Sequence, residues 1–301
     1  MDEWHVGDPA DWGDSVGVPD IPYMGYLNGE DDEDDDRWPR DEPDDKFSKA
    51  KALSDEAWRL ENEGRFEEAL VLINRAIEKF PFNPNHFNRK GIILNDLCRY
   101  DEAIEAYDRA LAVSKDNNTL ANKSYCMVDS LRMKHVTRRY TDSDLDYINK
   151  ALKILPDGED KYSHLHMKGN ILDDLGNHLD AQICYLLASE MYDRVDEAER
   201  QIEMLESSSS TFINITATKN YQFFRPFNEG VVVDLVRETD NSHDRDAIRV
   251  EIDGETVGYV ANSEHTLIRQ VKSASDIRNT DFTRAKVLFI LLGTYVIAEL
   301  I

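Results

Sequence analysis

Two stretches late in the chain concentrate the groups that could hold a ligand. One runs from Arg237 to Arg249 and contains Asn241, His243 and Asp244; the other is Gly258-Tyr259-Val260-Ala261-Asn262-Ser263. Asn241 and Asp244 are short acceptors that take hydrogen bonds from loop amides and stiffen a turn. A stiff polar loop beside an aromatic strand makes a binding pocket. Catalysis finds no comparable support: the sequence has no phosphate-cradling glycine loop, no nucleophile elbow and no metal-ligand cluster. His164 and His166, two apart in a helical pattern, point to different faces and cannot chelate one ion. The acidic run Glu30 to Asp36 lacks the glycine-containing spacing of a dedicated calcium loop. The expectation is a non-enzymatic binding protein with no catalytic residue, cofactor or metal.

The elements that must position these residues have period 2. Phe212–Thr216, Val231–Val236, Ala247–Ile252 and Thr256–Val260 read as strands, with Asp253-Gly254 as a tight hairpin turn. Val287–Ala298 is free of charge, but it spans 12 residues and is broken by Gly293-Thr294. It reads as two buried strands about a turn rather than a membrane span. With one helical stretch expected near 263–274, residues 211–301 form a small β-barrel.

Residues 46–206 have period 3.6 and repeat internally. Phe66 and Tyr100 are 34 residues apart, as are Ala69 and Ala103, Ile73 and Tyr107, and Ala76 and Ala110. Each unit is two amphipathic helices whose alanines allow close approach while the aromatics fill wider gaps. Helices are expected near 47–63, 66–79, 84–97, 100–113, 118–133, 142–154, 160–175 and 178–205. Seven extra residues, around Lys134 to Thr141, fall inside the third unit. The pattern Gly91, Leu94, Leu97, Tyr100, Ala103, Tyr107, Ala110 resembles the tetratricopeptide repeat (TPR), and Gly169 to Ala188 repeats it. The resemblance implies an α-solenoid whose first helices line a concave face where a protein partner docks. Asn88, Asn95, Asn122 and Lys123 are the expected peptide-binding residues.

Of the net charge of −25, most belongs to residues 1–45, where 17 acids face two arginines. That composition predicts a disordered acidic tail, although Trp4, Trp12 and Trp38 interleaved with acids also suit a docking motif. Ser207–Ser210 reads as a linker between independently folding halves. Cys98, Cys126 and Cys184 are expected as reduced core thiols of a cytoplasmic protein, and no apolar leader opens the chain.

The stretch from Arg237-Glu238 through Asn241, Asp244, Ala247-Ile248-Arg249-Val250 and Gly258-Tyr259 resembles the HIRAN family. The likeness covers roughly Thr211 to Ile301 and implies a modified OB-like barrel. Some members of that family grip the 3′ end of single-stranded DNA, stacking bases on aromatics and holding the terminal hydroxyl with an aromatic–Asp pair. Carried onto this sequence, the resemblance assigns nucleic-acid contacts to Lys219, Tyr221, His243, Asp244, Tyr259 and Asn262. Asn220 replaces one family aromatic, and Asn262 stands where the family has a basic residue. The expected fold is thus multidomain: a TPR α-solenoid followed by an OB-like barrel. The expected function is an adaptor joining a protein partner to nucleic acid in a repair or DNA-processing context. The rival is a pure protein–protein scaffold, which an acidic or apolar barrel surface would favour.

Overall fold

The structure, a computed structural model, describes residues 43–216, 218–221, 227–263 and 266–301, without the side chains of 43–45 and 219. The expected disordered tail, with its tryptophans and acidic run, lies outside the described residues as far as residue 42. Helix α1 spans Pro43–Asn62, four residues earlier at its start than the periodicity suggests; proline is tolerated in a first helical turn.

Seven more helices complete four pairs: α2 (Phe66–Lys79), α3 (Pro84–Asp96), α4 (Tyr100–Val113), α5 (Asn117–His135), α6 (Asp142–Ile154), α7 (Tyr162–Asp174) and α8 (His178–Ala188). Their starts are written locally. The Asn83 side chain accepts from Asn85 N with Pro84 next, Asp116 accepts from Thr119 N, and Thr141 with Asp144 closes a capping box. Within pairs, packing is tightest where a glycine faces an aromatic ring: a Cβ on Gly91 would lie 2.5 Å from Tyr107, and Gly169 faces Tyr185 in the same way. Between pairs, Asn122 Nδ2 donates to Asn88 Oδ1 (3.1 Å) and Asn95 Nδ2 to Asp129 Oδ2 (3.5 Å). These bonds join residues one repeat apart and set α3 and α5 side by side in the same direction.

Three expectations need correction. Residues 178–205 are not one helix: α8 ends at Ala188, Glu190 adopts φ 56°, and α9 (Tyr192–Ser207) runs on separately. The break lets Val195, Ala198 and Leu205 turn inward. Cys98 is exposed rather than in the core, because it holds a left-handed turn (φ 57°) of the kind Gly64 and Gly176 make in other units. Where a helix is expected near 263–274, residues 266–273 are not helical. Their backbone is spent on the barrel: Thr266 O accepts from Asn214 Nδ2 (2.8 Å) and Lys272 N donates to Phe212 O (2.7 Å). A four-residue helix, α10 (Ala274–Ile277), follows, capped by Ser273.

The C-terminal strands are β1 (Phe212–Thr216), β2 (Val232–Arg237), β3 (Ile248–Ile252), β4 (Glu255–Val260), β5 (Arg284–Leu291) and β6 (Tyr295–Leu300). They close an antiparallel barrel in the order β1-β4-β3-β2-β5-β6. Asp253 and Gly254 both take positive φ, as a two-residue hairpin turn requires. Ile213, Ile215, Val233, Leu235, Ile248, Val250, Val287 and Val296 fill the interior. A second apolar cluster crosses the serine run. Leu179, Ala198 and Leu205 from the helices pack with Phe212, Ile268, Val271, Leu291, Tyr295 and Ile297. Ser207 itself closes α9. Among the described residues, no helix is long and apolar enough to cross a membrane.

Candidate nucleic-acid interface

The interface begins on β4. Position 258 is glycine because a Cβ there would lie 2.7 Å from the Thr216 carbonyl oxygen of β1. That close approach sets Tyr259 beside β1 and the turn that follows it. Tyr221 N donates to Thr218 O in that turn, and the Tyr221 ring stands 6.4 Å from the Tyr259 ring, tilted by 42°. Tyr221 is 38% exposed, so the pair offers ring surface to a ligand. The side chain of Lys219 lies outside the described residues.

Glu238 anchors the pair from below. Its carboxylate accepts from Asn241 Nδ2 (2.7 Å), Arg249 Nη1 (2.7 Å) and the Tyr259 hydroxyl (3.3 Å). Those bonds, Asn241's first and then Arg249's, outweigh burial and hold the Glu238 carboxyl below its usual range. Burial, aided by Tyr221 and Glu238, pushes Tyr259 up to about 12, so its phenol stays protonated at neutral pH and serves as a hydrogen-bond donor.

Asn241 also links the aromatic pair to the polar loop. Its Oδ1 accepts from His243 N (2.9 Å) and Asp244 N (3.1 Å). Asp244 then accepts from Asp246 N through Oδ1 (2.9 Å) and from Asn262 Nδ2 through Oδ2 (2.9 Å). Asn262 Oδ1 accepts from Ser275 N (2.9 Å), and the Ser275 hydroxyl lies within hydrogen-bond distance of both Asn262 and Asp246. Asp246 is in turn ion-paired with Arg278. The His243 ring is exposed at the rim.

Tyr221, Tyr259, His243, Asp244 and Asn262 therefore belong to one connected patch. Sequence reasoning assigned no role to Glu238, Arg249, Ser275 or Arg278; the signal within reach was the Arg-Glu pair at 237–238. Arg237 turns the other way and donates to the carbonyls of Arg278 (2.6 Å), Thr280 (2.5 Å) and Phe282 (3.0 Å), fixing the loop behind the patch.

On the helical array, Asn88, Asn95 and Asn122 share the face formed by α3 and α5, whereas Lys123 is drawn to Asp108 of α4 (2.5 Å). His164 is buried against Ser124 Oγ (2.7 Å), while His166 lies among Tyr162 and Tyr185. Among the described residues, no three His, Cys, Asp or Glu side chains come together to hold a metal ion.

Comparison with known proteins matches residues 208–275 to the HIRAN domain and residues 87–117 to a tetratricopeptide repeat. An uncharacterised protein of Methanocaldococcus jannaschii is 37% identical over 82 residues, 27% of this chain and 92% of that protein. Among solved structures, YrrB, described as a TPR protein with an unusual peptide-binding site, is 17% identical with a TM-score of 0.31. The match covers 51% of this chain and 81% of YrrB. The Pseudomonas aeruginosa protein pilF is 14% identical with a TM-score of 0.26, covering 54% of this chain and 92% of its own.

Proposed function

The chain belongs to the HIRAN-domain proteins and carries a tetratricopeptide array ahead of that domain; from this premise we propose a non-enzymatic adaptor that brings a protein partner to a nucleic-acid end. Repeats of this type bind proteins, and the HIRAN domain is of a nucleic-acid-binding type. The finer reading is that the barrel takes the 3′ end of single-stranded DNA, in a repair or DNA-processing context. One observation carries it: an aromatic pair, exposed Tyr221 and half-buried Tyr259, is wired through Glu238 and Asn241 to a loop that presents His243 and Asp244. Stacking needs only ring faces and tolerates any base. A carboxylate at the rim suits a terminal hydroxyl, a donor, better than a phosphate.

The rival scaffold reading also has an observation behind it. Arg249 and Arg278, which border the patch, are already paired with Glu238, Glu251 and Asp246. Those two guanidinium groups therefore offer little counter-charge to a phosphate backbone. Titrating the full chain with labelled single strands bearing free or phosphate-blocked 3′ ends separates the two. The adaptor reading expects tighter binding to the free end, weakening with salt. Equal binding to both strands removes end recognition, and binding to neither leaves the scaffold.

A further inference from the structure

We infer that the face formed by α1, α3 and α5 takes an extended, Lys/Arg-rich segment of the protein partner, with one cation entering a notch between Glu61, Asp96 and Asp129 at the Tyr107 hydroxyl. The inference deepens the protein-binding reading of the array and rests on it.

The notch is built from acceptors. Tyr107 is only 2% exposed, and among the described residues its hydroxyl makes no hydrogen bond. In the fourth unit the matching Tyr185 donates to Asn170 Oδ1 and Asp173 Oδ2, each at 2.9 Å. The corresponding places in the second unit are Ile92, which cannot accept, and Asn95, whose side-chain oxygen is itself buried without a partner. Burial pushes the Tyr107 hydroxyl up first, with smaller additions from Cys126 and from the carboxylates of Asp96 on α3, Glu61 on α1 and Asp129 on α5. Burial likewise raises the carboxyls of Glu61 and Asp96.

The neighbouring cations do not fill this centre. Arg89 pairs with Glu61 (3.2 Å) and Arg132 with Asp129 (2.8 Å), but among the described residues Asp96 has no ion pair. Asp96 is moreover the last residue of α3, where the helix dipole disfavours an anion. An ammonium or guanidinium group is all donors, so it complements such a notch. Trp58, 54% exposed and one turn before Glu61 on α1, adds a ring face for the same charge. The Asn88–Asn122 pair points to a peptide rather than a free cation. Its single bond uses Asn88 Oδ1 and Asn122 Nδ2, leaving an amide donor on Asn88 and an acceptor on Asn122 for one backbone carbonyl and one N–H.

The test is fluorescence anisotropy on the full chain with a short labelled peptide of alternating lysine and alanine, beside length-matched peptides carrying glutamine or glutamate for lysine. The lysine peptide is expected to bind about tenfold or more tightly than either. The double variant Asp96→Asn/Asp129→Asn is expected to lose about tenfold. Glu67→Gln/Glu105→Gln, an equal charge change at exposed positions on α2 and α4, is expected to bind as the parent does. Asp96→Asn alone is expected to raise the melting temperature while weakening binding, so a folding defect cannot imitate the result. Equal losses in both double variants would trace the attraction to net charge and overturn the inference. A glutamine or glutamate peptide that binds and is lost on Asn122→Ala would overturn the charge preference and keep the peptide groove. Binding of no peptide overturns the groove as well. Calcium alone shifting the melting temperature of the parent but not of the Asp96/Asp129 variant would make the notch a metal site and sink the proposal.

Discussion

Asp244 spends both carboxylate oxygens inside the loop, on Asp246 N and Asn262 Nδ2, so any ligand contact is made by a group that is already a brace. The two roles separate by experiment. As a contact to a terminal hydroxyl, Asp244→Ala should cost about 1–3 kcal/mol of binding to a free 3′ end, the range for a charged hydrogen bond. Tyr221→Ala should cost about 1–3 kcal/mol on every strand, because stacking does not depend on the end. Blocking the 3′ hydroxyl should erase the Asp244 effect and leave the Tyr221 effect intact. If Asp244 is a brace alone, its alanine variant melts earlier and discriminates ends as well as the parent does. The loop was legible in the sequence because Asn241 and Asp244 declare a turn preference, whereas Tyr221 and Tyr259 were assigned through the resemblance to the HIRAN family. Glu238 was not legible, since its value lies in three partners drawn from positions 241, 249 and 259, which only the barrel register brings together.

At the scale of elements, the glycine–aromatic contact within the second and fourth helix pairs is where opposing effects can be weighed. Gly91→Ala gains about 1 kcal/mol of helix propensity. Against that, the new methyl meets the ring of Tyr107, which is 2% exposed and cannot swing away. Overpacking of this kind costs about 1–3 kcal/mol. The expected outcome is a lowered melting temperature, and a rise would show that the pair has slack. The array was readable because Phe66 and Tyr100, Ala69 and Ala103, and Ala76 and Ala110 recur 34 residues apart, each of these units solving the same packing problem. The break at Ser189–Met191 was not readable. Glu190 enters the left-handed region without a glycine to announce it, and the apolar stripe of α9 continues the helical period of α8. The stretch 263–274 misled for a related reason, its backbone being claimed by Asn214 and Phe212 from elsewhere in the chain.

Over the whole molecule, the serine run joins two halves that share an apolar cluster, and this bears on the expectation that they fold separately. Polar contacts flank the cluster: Arg269 donates to Asn177 Oδ1 (2.6 Å), Gln270 to Glu206 Oε1 (3.0 Å) and Arg194 to the Leu292 carbonyl (3.3 Å). A fragment of residues 211–301 should therefore melt below the barrel of the full chain and bind an apolar dye through exposed Leu291, Tyr295 and Ile297. In the full chain Leu205→Ala should cost about 2–5 kcal/mol, the range for truncating a buried leucine. An isolated fragment with undiminished melting temperature and no dye binding would restore the picture of independent halves. The shared cluster also governs how two ligands would meet. When binding sites are joined by a flexible tether, the local concentration of one ligand near the other follows the tether's length. Here reorientation would have to expose Leu205 and Tyr295, so the helical array works as a bracket, and a cargo held on it reaches the barrel's ligand only if its own shape spans the fixed gap.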